Sequence, residues 1–195
     1  RLTRYTGLER RVLDQYNLRP EIQHFCKELL RDRRRTVGRL DARFTGIDAI
    51  PGGERPDFDP SMAAIRPPYT AAFNDYVRGD LGYKSDLPYY ILGGGIQDWD
   101  WQSENSYTDV SGALRSAFAK NPSMRLFVGS GYYDLATPYF ATRYTLAHMG
   151  LEPEERARIT TRDYEAGHMM YIHAGELARL KRDVAEFIGG ALGGK

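Results

Sequence analysis

The sequence has a single cysteine, Cys26, in 195 residues. A lone thiol excludes an internal disulfide framework and a cysteine-based zinc finger. No apolar run approaches the ~18–20 residues needed to cross a bilayer, and stretches such as 126–128 are only the size of a core strand. There is no charge excess of either sign. Lys plus Arg number 27 and Asp plus Glu 26, a formal net charge of +1, so no global field draws the chain to nucleic acid or to an anionic membrane. No signal-peptide hydrophobic region follows Arg1, and residues 189–195 read as a frayed tail after a helix. A mature form, a processed chain or a piece of a longer one would all read this way.

With 42% apolar residues and 12% aromatics the chain can bury a core, and its length suits one domain or one and a half. Residues 1–35 are helix-prone and heavily charged. Within 21–34, Ile22, Phe25, Cys26, Leu29 and Leu30 fall on one helical stripe behind Pro20. The run Arg31-Asp32-Arg33-Arg34-Arg35 reads as the cationic end of that helix rather than a phosphate patch. Residues 36–68 are punctuated by Gly and Pro and are expected to be mostly turns. Helix resumes at 69–81, with Phe73, Tyr76, Val77 and Leu81 on one side, and 87–92 could form a short strand. The run Gly93-Gly94-Gly95 lacks the G-x-x-x-x-G-K-S/T and G-x-G-x-x-G spacings and reads as a hinge. Trp99 and Trp101 carry two readings, as anchors of a segment on the core or as lining of a substrate cleft.

From residue 107 the pattern changes. A helix over 111–120, with Ala113, Leu114, Ala117 and Phe118 inward, is closed by Asn121-Pro122. A buried-type strand at 125–129 follows, then a helix over 139–149 opened by Pro138 and stopped by Gly150. A second strand at 159–164 leads to a last helix over 174–188, expected to bury Leu177, Leu180, Val184, Phe187 and Ile188. The order helix, strand, helix, strand, helix is that of an α/β protein with a parallel sheet.

Functional groups of such sheets sit on the loops leaving the C-terminal strand ends. Asp134 follows the first strand and His168 the second. Adjacent parallel strands would bring them side by side, as an acid that orients an imidazole base. The chain order Asp then His is that of an α/β hydrolase. The other histidines lack this setting: His24 lies on the polar side of a helix, His148 is near a helix end, and His173 starts the last helix. No pair among the four has zinc-ligand spacing, and an acid–base pair of this kind needs no metal or organic cofactor.

A nucleophile elbow reads G-x-S-x-G. None of Ser61, Ser85, Ser103, Ser106, Ser111, Ser116, Ser123 or Ser130 has glycines two positions away on both sides. Ser130 comes closest, but its glycines are immediate neighbours. Cys26 lies on a helix face and is expected to be buried. The chain therefore offers an acid and a base without a nucleophile.

The segment Val128-Gly129-Ser130-Gly131-Tyr132-Tyr133-Asp134-Leu135-Ala136-Thr137-Pro138, followed by Tyr164-Glu165-Ala166-Gly167-His168-Met169-Met170-Tyr171-Ile172-His173, resembles the C-terminal part of prokaryotic serine carboxypeptidases. The likeness extends upstream through Arg35-Thr36-Val37-Gly38-Arg39-Leu40-Asp41-Ala42-Arg43-Phe44 and Pro68-Tyr69-Thr70-Ala71-Ala72-Phe73-Asn74-Asp75-Tyr76. It implies the C-terminal part of an α/β-hydrolase core over 106–195, preceded by a helical, loop-rich lid or insertion over 1–105. It implies Asp134 as triad acid, His168 as triad base and Met169 as part of the leaving-residue pocket. The family's serine and its oxyanion-hole glycines belong to an N-terminal half of the fold that is not in this chain, which leaves the isolated chain expected to be inactive. The implied substrate is a peptide or small acyl compound, with an esterase, an acyltransferase or a non-catalytic assembly fragment as alternatives. A periplasmic or secreted location would follow from the likeness. Self-association is left open.

Overall fold

The computed structural model describes residues 1–90, 100 and 108–193. The glycine hinge at 93–95, Trp99, Trp101, Ser103, Ser106, the end of the strand expected at 87–92 and the boundary between 105 and 106 lie outside the described residues.

Three short helices open the chain: α1 (Leu2–Thr6), α2 (Arg10–Gln15) and α3 (Ile22–Glu28). Leu8, Val12 and Leu13 are buried there, with Tyr16, Phe25 and Leu29 packed against them. Helix α3 is shorter than the apolar stripe predicts. The chain passes through a 3-10 turn at Arg31–Arg33 and a left-handed Arg34 with φ 54°. Arg31 is drawn inward, its guanidinium donating to the carbonyls of Pro51 and Gly53 at 2.8 Å each.

The region expected to be mostly turns contains an antiparallel hairpin, β1 (Arg35–Val37) and β2 (Thr45–Ile47), with Thr36 opposite Gly46. Buried Thr36 donates its hydroxyl to the Cys26 carbonyl at 3.1 Å, fastening the hairpin to α3. Helix α4 (Pro60–Asp75) also starts well before the expected residue 69. Asp59 caps it by accepting from the Ser61 and Met62 N–H groups, and Pro60 occupies the first turn, where a missing N–H is harmless. Pro67 and Pro68 lie inside α4 on an exposed stretch, where water can satisfy the carbonyls they leave unpaired. The helix ends in a π-helical turn at Tyr76–Asp80. Tyr76 and Leu81 are exposed, and residues 87–90 are not a strand.

The remainder follows the expected alternation. Helix α5 (Ser111–Lys120) precedes β3 (Leu126–Gly131), α6 (Tyr139–His148), the single turn α7 (Pro153–Arg156), β4 (Ile159–Tyr164) and α8 (Ala174–Ala191). Strands β3 and β4 pair in parallel, Leu126 opposite Ile159 through Gly131 opposite Tyr164. Phe118, Met149 and Leu151 form the buried cluster beside them. Arg158 closes the end of α5, donating to the carbonyls of Asn121 and Pro122 at 3.0 and 2.9 Å with its guanidinium over the Phe118 ring. Ala113 is exposed.

Helix α8 departs from expectation in two ways. It runs on to Ala191, through glycines expected to fray, and none of its residues is fully buried. Phe187 packs against Phe127 of β3, whereas Leu177 and Ile188 are about half exposed. Only two strands, β3 and β4, form the sheet beside α8, and its apolar stripe is only partly covered. The molecule is thus a mixed helix-and-sheet protein with short parallel and antiparallel strands. No helix among the described residues is long and apolar enough to cross a membrane.

Candidate active site

The parallel pairing continues past the strands. Tyr132 and Tyr133 N–H groups donate to the carbonyls of Tyr164 and Ala166, at 3.0 Å each. The two loops therefore run side by side, and their closeness requires glycine: a Cβ on Gly131 would come within 2.2 Å of the Gly167 carbonyl oxygen. Asp134 and His168 meet at this point. The imidazole Nδ1 lies 2.9 Å from Asp134 Oδ2.

Asp134 is 5% exposed and its acceptor sites are occupied. Oδ1 accepts from the N–H groups of Ala136 and Thr137 at 2.8 and 3.0 Å. Oδ2 accepts from the Thr137 hydroxyl at 2.6 Å as well as facing the imidazole. Burial pushes the Asp134 carboxyl upward, but the Thr137 side chain and N–H, His168 and the Ala136 N–H outweigh it and hold the group below the ordinary carboxylate range. The anion is thereby kept beside an imidazole whose side chain remains 44% exposed. A fixed buried carboxylate beside a half-exposed imidazole is an arrangement suited to proton transfer.

The pair is held from below by the turn between β1 and β2, a contact without a local sequence signal. The His168 N–H donates to the Leu40 carbonyl at 2.7 Å, Leu135 N–H to Arg39 at 3.0 Å, and Ala42 N–H to Tyr133 at 2.9 Å. Gly167 sits against Leu40 and Asp41 with no space for a side chain. Buried Asp41 takes a bidentate bond from Arg43, whose guanidinium also covers the Tyr133 ring and donates to the Glu165 carbonyl. Residues 39–43 therefore touch both catalytic-candidate loops, although they belong to the segment expected to be lid. Nothing in the order of residues marks them or Thr137 as partners of this pair. The Asp59-Pro60 pair was a visible helix-start signal for the α4 end that supports them.

Met169 follows His168 directly and is half-buried, its carbonyl accepting from Ile172 N–H in the 3-10 turn Met170–Ile172. The other histidines are engaged elsewhere. His24 stacks on Tyr16, His148 bonds the Tyr144 carbonyl, and His173 caps α8 by accepting the Glu176 N–H. Ser130 lies in β3 opposite Asp163. The Ser61 hydroxyl is committed to Asp59 and the Leu40 N–H. Among the described residues no serine hydroxyl bonds the imidazole, and no group of His, Cys, Asp and Glu could hold a metal ion. Cys26 is buried within α3, and burial pushes its thiol up to about 11, which leaves it protonated and a poor nucleophile at neutral pH. Comparison of the chain with protein-family models, curated proteins and solved structures gives no match.

Proposed function

We propose that this chain supplies the acid and base of a serine hydrolase of the α/β-hydrolase class, with peptide C-termini as substrate, as in serine carboxypeptidases. The observation that carries the reading is the 2.9 Å contact between Asp134 Oδ2 and His168 Nδ1 on adjacent parallel strand ends. In this mechanism His168 Nε2 takes the proton of a serine hydroxyl as its oxygen bonds to the scissile carbonyl carbon. The same proton passes to the leaving amine as the peptide bond breaks. Water then repeats the sequence and releases the acyl group. Asp134 keeps the hydrogen on Nδ1 and offsets the positive charge of the imidazolium. Met169 contributes to the pocket for the leaving residue. The serine and the oxyanion donors come from an N-terminal half of the fold that pairs with this one.

The test is expression from the complete reading frame. The full protein should release the C-terminal residue from an N-blocked dipeptide and take up a fluorophosphonate at one serine, while residues 1–195 alone should do neither. An ester substrate cleaved where the dipeptide is not would replace peptidase by esterase. A full protein that labels at no serine, or that turns over equally well with His168→Ala, overturns the reading.

A further inference from the structure

We infer that Thr137 is a positioning residue for this acid–base pair, its hydroxyl locking His168 in the tautomer that carries hydrogen on Nδ1 and leaves Nε2 bare. The inference rests on the proposed hydrolase reading for its purpose, though not for its geometry. Three atoms form a triangle: Thr137 Oγ1 is 2.6 Å from Asp134 Oδ2 and 3.2 Å from His168 Nδ1, and Oδ2 is 2.9 Å from Nδ1.

The hydrogens of this triangle follow from donor chemistry. An ionised carboxylate only accepts, so the single hydroxyl hydrogen of Thr137 points to Oδ2. The 2.6 Å separation is that of a charge-assisted O–H···O⁻ bond. With its hydrogen committed, the Thr137 oxygen turns lone pairs toward the imidazole. Both atoms facing Nδ1 are then acceptors, and Nδ1 must be the donor. Nε2 is left with its lone pair, as a general base requires.

The hydroxyl is not needed to close the turn. Backbone N–H groups of Ala136 and Thr137 already bond Asp134 Oδ1, and Pro138 leads into α6 whatever side chain precedes it. What the hydroxyl adds is confined to Oδ2 and Nδ1. The His168 side chain is 44% exposed, so water has access to the ring, and water can donate as well as accept. Removing the second acceptor opens Nδ1 to water.

The imidazole nitrogens report this directly. In ¹⁵N-labelled chain, at a pH where the ring is neutral, long-range ¹H–¹⁵N spectra should show His168 as the Nδ1–H tautomer in wild type and in Thr137→Ser. Thr137→Val, which keeps the shape without the hydroxyl, should shift the Nδ1 and Nε2 resonances toward each other, as a tautomer mixture does. Thr137→Ala carries the same comparison should the valine variant fail to fold. In the full protein, Thr137→Val should lower kcat roughly tenfold at unchanged KM, and Thr137→Ser should restore it. His168 resonances in Thr137→Val and Thr137→Ala identical to wild type overturn the inference. A wild-type full protein without hydrolysis overturns the proposed function instead, and leaves the tautomer comparison to decide the role of Thr137 at this pair.

Discussion

The backbone N–H of His168 donates to the carbonyl of Leu40 at 2.7 Å, and that bond ties the imidazole loop to the opposite half of the chain. The Leu40 N–H in turn donates to Ser61 Oγ at 3.1 Å, and the Ser61 hydroxyl donates to Asp59 at 2.5 Å. Asp59 caps α4. The N-terminus of α4, the β1–β2 turn and the loop after β4 thus form one hydrogen-bonded unit beneath His168, with Ser61 fully buried inside it.

That unit has no slack at Gly167. A Cβ there would lie 2.3 Å from the Leu40 carbonyl oxygen and 2.5 Å from the Asp41 Cβ. Neither is the end of a flexible side chain, so Gly167→Ala must push the two halves apart. It should destabilise the fold by ~1–3 kcal/mol, read as a lower urea midpoint. Gly112→Ala in α5, whose new Cβ would meet nothing within 4 Å, should be neutral or raise stability by up to about 1 kcal/mol.

Lys27 and Asp48 form an almost fully buried ion pair at 2.5 Å, and Lys27 also donates to the Ile50 carbonyl at 2.6 Å. Burial pushes the Asp48 carboxyl upward, but the Lys27 ammonium and the Ile50 N–H outweigh that and hold it below its ordinary range. Lys27→Met leaves that carboxylate buried without its cation and should destabilise by ~3–5 kcal/mol. The double variant Lys27→Met, Asp48→Leu should lose less than Lys27→Met alone. A denaturation double-mutant cycle measures both.

Asp134 makes a signed prediction for pH. Its folded-state carboxyl titrates below the ordinary range, so between the two values the unfolded chain binds the extra proton. The stability this group contributes is fully present above the ordinary carboxylate value of ~3.9 and is lost as pH falls through the lower folded value. Urea midpoints of wild type and Asp134→Asn should therefore differ most at neutral pH and converge on acidification. Asp48 contributes to the acid sensitivity of both proteins in the same direction.

On the proposed hydrolase reading, two histidines five positions apart behave oppositely in the full protein. His168→Ala should remove nearly all triad-dependent turnover of an N-blocked dipeptide, since triad members act as a unit. Asp134→Asn should lower kcat by on the order of 10⁴ by favouring the wrong tautomer. His173→Ala removes only the acceptor for the Glu176 N–H at the start of α8. It should retain activity within a few fold and lower stability by ~0.5–1 kcal/mol, seen as a small shift in the melting temperature.

Much of the C-terminal half was legible because its punctuation is local. Asn121-Pro122 ends α5, Pro138 opens α6, Gly150 at φ 65° follows it, and the β-branched run from Ile159 makes β4. Asp134 and His168 were visible as a pair because they follow successive strands, and parallel strands that lie side by side, as β3 and β4 do, bring the loops at their ends together. The N-terminal half was harder to read. Pro67-Pro68 looked like a helix boundary, yet the Asp59 cap and an exposed setting carry α4 through them. The β1–β2 hairpin strands are three residues each, too short for alternation to stand out.

By itself the sequence determined the helix and strand alternation after residue 107, the lone buried thiol and an acid and a base at strand ends, since these depend on side-chain period, on caps and on chain order. Tertiary structure alone decided which groups hold that pair. The bonds from His168 to Leu40 and from Leu135 to Arg39 join backbone to backbone across the length of the chain, and backbone groups are the same in every residue, so no sequence pattern records them. The same holds for α8. Its apolar stripe is written in the order of its residues, but how much of the stripe is covered depends on the sheet packed beside it.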